Sequence, residues 1–561
     1  MLHKWLSRQR IRHLSAFSLS MVLLTSVACQ PTEEVPTVTF TPLDAREQLI
    51  RLSMDLRAQH PTEDELKAIE SNPELYGQFV DRYLGSQAFL DRMMEVFNLA
   101  FLTRTGDTYY DPEEAGMGEV DRQALARSVG DEPLRLIRHI VEHDLPYSEL
   151  VKAPYTMTDE LLASWWGIDY PEDAVGWQQG QYLDQRPMAG VLSMNTFWQR
   201  YPSQGGNANR HRANAISRVL LCDDFLSRPI VLNRTAIDQL MQDPEMAIRD
   251  NAGCQSCHSS LDPLAANMFG FFREDRDEES FDEMRTYYPE NETAWKGYAG
   301  RSPAYFGRPT GNLMELGEAI GEDPRFMQCA VKTVWEGMTH RNATDADWAE
   351  LEGFRATFEL TGQNVRSLVR AIVTSDAYRA RKVDGDDSLA ERLTTLKMAT
   401  PSQLANVIEQ STGYRWTFSG QDGLADNARN LAVLAGGIDS RTVKVPAANP
   451  SLGLSLIQER LAQAAAHHVV KHDFDPNRTE PAKLITLMGP NGKPGDQPAI
   501  FTEQIQEIYL KVTGLPLEAG ADEPNDLLTL WNGVYEVTAS TEAAWTAVIS
   551  AVLRDPRIIL Y

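Results

Sequence analysis

The sequence predicts a mainly α protein, on two observations. Apolar residues recur at steps of three and four along most of the chain, and period-two alternation is scarce. In Gln78 to Arg92, Phe79, Val80, Tyr83 and Leu84 form an apolar stripe, followed by a Gly-Ser break and a small aromatic anchor. Ser367 to Arg381 repeats that plan and Ala547 to Tyr561 repeats it more loosely, which suggests helical units of similar design. The alternative is the ordinary likeness of amphipathic helices.

The chain has 561 residues with 42% hydrophobic content, enough to bury more than one core. Lys4, Arg8, Arg10 and Arg12 precede an apolar run from Leu14 to Ala28, the charge pattern of a secretory signal, and the run is short for a membrane span. It ends in Ser26-Val27-Ala28-Cys29, small residues leading into a cysteine, which resembles the lipobox of bacterial lipoproteins with Ser26 where Leu is usual. Cys29 is therefore the expected lipidation site, and a plain secretory signal or uncleaved anchor is the alternative. Gln30 is compatible with outer-membrane sorting, so the expected location is the cell envelope, at the periplasm or cell surface.

The expected organisation is a signal over residues 1–28, a Pro/Thr/Glu tether over 29–42, an N-terminal helical domain over 43–185, a haem region over 186–382 and a C-terminal helical domain over 383–561. Candidate linkers are Gly176 to Pro187, Val383 to Ser388 and Met488 to Pro498. The formal charge of −26 with no local basic patch argues against nucleic acid as a partner. It would steer in a basic redox protein, although an acidic surface also serves solubility alone.

The chemistry lies in Asn251-Ala252-Gly253-Cys254-Gln255-Ser256-Cys257-His258, which contains Cys-x-x-Cys-His. With 5 cysteines and 11 histidines, chance places this pattern on the order of once in a thousand such chains. Two cysteines three apart on one helical face can each add to a haem vinyl group, and the following histidine then falls under the iron. One covalent haem c on Cys254 and Cys257, with His258 as axial iron ligand, is the expectation. A thioredoxin-like use would need a βαβ setting that the flanks lack. Zinc would need a fourth ligand, and no second Cys-x-x-Cys exists.

The distal position stays open among Met268, Met284, Met314, Met327, Met338, His340 or no protein ligand, with Met268 the first candidate because it follows His258 closely. A thioether raises the potential, an imidazole lowers it, and an open position permits oxygen or peroxide chemistry. Each of these methionines is also ordinary core material. His139 and His143, four apart with Glu142 nearby, could share a metal, but a solvated helix face is the preferred reading.

The blocks around this motif resemble a family of large, uncharacterised cytochrome-like proteins abundant in planctomycetes and myxobacteria and built of consecutive domains of unknown function. Similar blocks are Glu149 to Asp169, Gly190 to Arg200, Arg218 to Phe225 with Cys222, the haem block with Asp262-Pro263, and Gly311 to Arg341 with Cys329, followed by Ser367 to Arg381. Arg51 to Ile69 resembles the N-terminal part of related proteins. Leu264 stands where the family usually has Gly, Asn267 or Met268 where it has Glu, and Thr339-His340-Arg341 where it has Leu-Gly-Arg. The resemblance spans roughly residues 50 to 381 and implies haem and export, with a multi-helix cytochrome c-like haem region embedded in a larger helical protein.

Cys222 and Cys329 are the family's other cysteines. A disulfide between them would stabilise by about 4 to 5 kcal/mol in the chain-entropy treatment, and two buried free thiols is the alternative. Electron transfer at the cell envelope through an unidentified redox partner, with membrane attachment by the lipid anchor, is the expected function. The alternatives are a haem-dependent oxidoreductase or peroxidase-like enzyme, whose distal acid/base groups the sequence does not identify, and an envelope scaffold with a structural or sensing haem.

Overall fold

The computed structural model describes residues 38–561 apart from 114, 204, 230–233, 273–285, 299–300, 394–395 and 519. The signal-like run, Cys29 and Met284 lie outside the described residues. The fold is mainly α: among the described residues there are 25 helices, and helix far outweighs strand. The strands among them form four two-stranded ribbons. Among the described residues no helix is long and apolar enough to cross a membrane.

Local chemistry explains the helix boundaries. Asp44 and Glu47 form a reciprocal capping box that starts the helix Ala45–Arg57, and Ala58 ends it in a left-handed conformation at φ 54°. The stripe of Phe79, Val80, Tyr83 and Leu84 is buried on the helix Tyr76–Leu84. After Gly85, the Ser86 hydroxyl accepts the Phe89 N–H at 3.2 Å and starts Gln87–Phe101. The second copy follows the same plan: Leu368, Val369, Ile372 and Val373 are buried on Val365–Val373, and Ser375 caps the next turn through the Tyr378 N–H at 3.3 Å. In the third, Trp545, Val548, Ile549 and Val552 are buried on Thr541–Val552, and Asp555 accepts the Arg557 N–H at 2.9 Å.

Thr39–Pro42, read from sequence as the end of a tether, is instead an antiparallel strand on Ala380–Asp384. Leu43 N–H then donates to the Arg379 carbonyl at 2.9 Å. Backbone pairing of this kind satisfies donors and acceptors that a free tether leaves to water. One hydrophobic cluster runs from Leu49 to Ile559 and draws side chains from all three of the expected helical regions. A smaller cluster surrounds Trp165 and Trp166, and a third joins Phe269, Phe272 and Ala208. Cys222, at the end of the helix Arg210–Leu221, is disulfide-bonded to Cys329 in Pro324–Thr339, with Cα atoms 5.2 Å apart.

A buried polar knot ties these regions together. The Asp55 carboxylate, wholly buried, pairs with the ammonium of Lys397 and accepts the hydroxyls of Tyr378 at 2.5 Å and Tyr561 at 2.7 Å. Lys397 also donates to the Met338 carbonyl at 2.5 Å. Arg92 reaches the Asp55 carbonyl at 3.2 Å and the His340 Nε2 at 3.1 Å, while His340 Nδ1 lies 3.2 Å from the Met398 carbonyl. A neutral ring protonated on Nδ1 satisfies both of those contacts. Burial acts to raise the Asp55 pKa, but the charge of Lys397 and the hydrogen bonds from Lys397 and Tyr378 outweigh it and hold the carboxyl below its ordinary value. Burial pulls Lys397 down to about 8 against the attraction of Asp55, so the pair is ionised at neutral pH.

Removing one partner of a buried pair strands the other charge, at a cost of about 3 to 5 kcal/mol. Asp55→Ala should lower the urea unfolding free energy by about that much, and Asp55→Ala with Lys397→Met should recover a large part of it. A single-variant loss under about 1 kcal/mol contradicts the assignment.

Two buried histidines make stability depend on pH. Burial drives His60 down to about 4, and its ring nitrogens have no hydrogen-bond partner among the described residues. Burial, with Arg92 and Lys397 nearby, drives His340 to about 3 despite Asp55. Both stay neutral in the folded chain while the unfolded chain takes up protons near the ordinary value of 6.5. Stability from these groups is therefore complete above about pH 6.5 and is lost as pH falls toward 4 and then 3. The slope approaches about 1.4 kcal/mol per pH unit for each histidine. Urea titrations between pH 7 and about 5 should show this decline, and His60→Leu should flatten it; an unchanged slope in that variant contradicts the account.

Candidate functional site

Cys254, Cys257 and His258 sit in the first two turns of the helix Ala252–Ala266. Asn251 starts it by accepting the Gly253 N–H at 2.9 Å. Positions three and four apart share a helical face, so Cys254 lies beside both Cys257 and His258. Both cysteines are free thiols of intermediate exposure, and Cys257 packs against the main core. They are thus reachable for covalent attachment and anchored on one side.

His258 is positioned by a carboxylate four residues on. Its Nδ1 lies 2.9 Å from Asp262 Oδ1, and Asp262 is only 2% exposed. Arg210, from the neighbouring helix Arg210–Leu221, donates through Nε to the same oxygen at 2.7 Å. Burial acts to raise the Asp262 pKa, but the hydrogen bonds from His258 and Arg210 prevail and hold the carboxyl below its ordinary value. An ionised acceptor requires the proton on Nδ1, which leaves the Nε2 lone pair for a metal. Arg212, in the same first turn as Arg210, donates to the Phe271 carbonyl at 2.7 Å, in the turn that follows the thiol helix.

The helices Arg234–Gln242 and Pro244–Asp250 precede the thiol helix, each in contact with the next along the chain. They carry exposed apolar side chains, Ile237, Leu240, Met241 and Met246, with Met241 82% exposed. Ile237, Leu240 and Met241 follow i, i+3, i+4 and so share a face of their helix. Two thiols on one face and a histidine whose other ring nitrogen is held fit a covalently attached porphyrin. Among the described residues no group of three His, Cys, Asp or Glu is gathered to hold a bare metal ion. A haem iron needs only one protein ligand on its proximal side, since the porphyrin supplies the four equatorial nitrogens.

The distal candidates fall elsewhere. Met268 is fully buried in the main core. Ten residues of largely helical chain put about 15 Å of rise between it and His258, more than one iron can bridge comfortably. Met338 is likewise buried, the Met327 sulfur accepts Gln363 Nε2 at 3.7 Å, and Met314 is exposed on Leu313–Gly321. His340 is committed to the Asp55 knot. Met241 and Met246 lie upstream of the motif, on the two helices that precede the thiol helix. Asp262 and Arg210 were also passed over as site residues; a carboxylate one helical turn after the histidine was the available signal for the first, and the sequence offered none for the second.

His139 and His143 do stack, with ring centroids 4.2 Å apart, but His139 Nε2 contacts Gln179 at 2.9 Å and His143 Nδ1 contacts its own helix at 3.0 Å. Two clefts lie away from the thiols, one between Arg51, Trp335 and Arg392 and one between Thr62, Phe79 and Arg82. Compared with known proteins, the chain matches no family model, no curated protein and no solved structure.

Proposed function

We propose that this protein carries one covalently attached c-type haem on Cys254 and Cys257, with His258 as the axial iron ligand, and takes part in electron transfer at the cell envelope. The observation that carries the reading is the helix Ala252–Ala266, where two free thiols and a histidine share a face and the histidine's Nδ1 is held by a buried carboxylate. When bound, haem supplies one-electron redox chemistry. Cys254 and Cys257 would hold the porphyrin edge, and His258 would present Nε2 to the iron. Cys29, once lipidated, would tether the chain to the membrane, and the formal charge of −26 would steer a basic redox partner toward it.

Expression with c-type maturation machinery, followed by pyridine haemochrome spectroscopy, should give a c-type spectrum that disappears in Cys254→Ala, Cys257→Ala. A wild-type protein without covalent haem overturns the reading. Carbon monoxide binding by the reduced protein would move the function from electron transfer to an oxidoreductase with an open iron position.

A further inference from the structure

We infer that Asp262, steadied by Arg210, is the positioning residue that fixes the His258 ring and draws the reduction potential of the haem downward. This rests on the haem reading above. The helix delivers the contact, since residues four apart meet on one face, and the 2.9 Å separation is that of a charge-assisted hydrogen bond. Asp262 is nearly inaccessible to water, so its charge is weakly screened at the imidazole.

A carboxylate that accepts the Nδ1 proton makes the imidazole a stronger electron donor through Nε2. A stronger donor favours the oxidised, more positive iron over the reduced one. Arg210 works against this in part. Its Nε shares Oδ1 with His258 at 2.7 Å and its Nη2 lies 3.5 Å from Oδ2, so it keeps the buried carboxylate ionised while withdrawing some of its charge from the ring. The pair therefore sets the donor strength between that of a bare carboxylate and that of a neutral acceptor.

The simpler reading is that Asp262 and Arg210 only staple two helices together. Arg212, on the same helix as Arg210, already makes a second tie by donating to the Phe271 carbonyl at 2.7 Å, in the turn that follows the thiol helix. A stapling role predicts changed stability with an unchanged potential, whereas donor tuning predicts a changed potential in a protein that still folds and loads haem.

The test is to compare wild type, Asp262→Asn, Asp262→Glu and Arg210→Gln, each matured with haem and checked for full loading. The readouts are the midpoint potential and the iron–imidazole stretching frequency of the reduced protein by resonance Raman. Asp262→Asn should raise the potential by tenfold or more in the reduction equilibrium, about 59 mV for one electron, and lower the stretching frequency. Asp262→Glu should return part of the way, and Arg210→Gln should move the potential in the opposite direction. A fully loaded Asp262→Asn with an unchanged potential overturns the inference. If that variant does not accumulate, a loaded Arg210→Gln with an unchanged or raised potential overturns it equally. Wild type without covalent haem instead overturns the haem reading beneath it.

Discussion

The Asp55–Lys397 pair is the constraint on which the long-range architecture depends. It is an ion pair removed from water, and such a pair is tolerable only when every remaining lone pair and proton finds a partner. Tyr378, Tyr561, the Met338 carbonyl, Arg92 and Gln403 are arranged around it, Gln403 donating both to the Tyr561 hydroxyl at 3.1 Å and to the Met54 carbonyl at 2.8 Å. With Asp55 itself, these residues come from the first helix after the opening strand, from the helix Gln87–Phe101, from the stretch between Met338 and Gln403, and from the last residue. Satisfying one buried carboxylate thus holds together segments that apolar contact alone would leave less specifically placed.

The thiol helix obeys the same rule on a smaller scale. Asp262 is another nearly inaccessible carboxylate, and its partners come from the two helices that define the candidate site. Here the partners include a histidine whose other ring nitrogen makes no hydrogen bond among the described residues. Structural and chemical demands therefore meet in one contact: a charge that must be paired in order to be buried also dictates which ring nitrogen His258 can offer.

The local part of this was legible in the sequence. The capped breaks at Ser86 and Ser375 follow from short-range hydrogen bonding, and the helical face that joins Cys254, Cys257 and His258 follows from periodicity. The non-local part was not. Nothing in the neighbourhood of Asp55 indicates that its cation lies 342 residues away, or that the hydroxyl of Tyr561 closes the same network. For the same reason Arg210 escaped notice, being 52 residues from Asp262, and Thr39–Pro42 read as a tether because its partner strand lies beyond residue 379. The expected distal candidates all lie downstream of the histidine, and nearness in sequence does not fix nearness in the fold: Met268, ten residues on, is buried in the main core.

The central claim is covalent attachment at Cys254 and Cys257, and intact-mass spectrometry of the protein matured in cells with c-type assembly machinery tests it most directly. The account predicts a mature chain heavier by one haem, with the added mass retained under denaturation and located on the peptide containing Cys254 and Cys257. A chain at its bare mass, with those two thiols free or joined to each other, would contradict it.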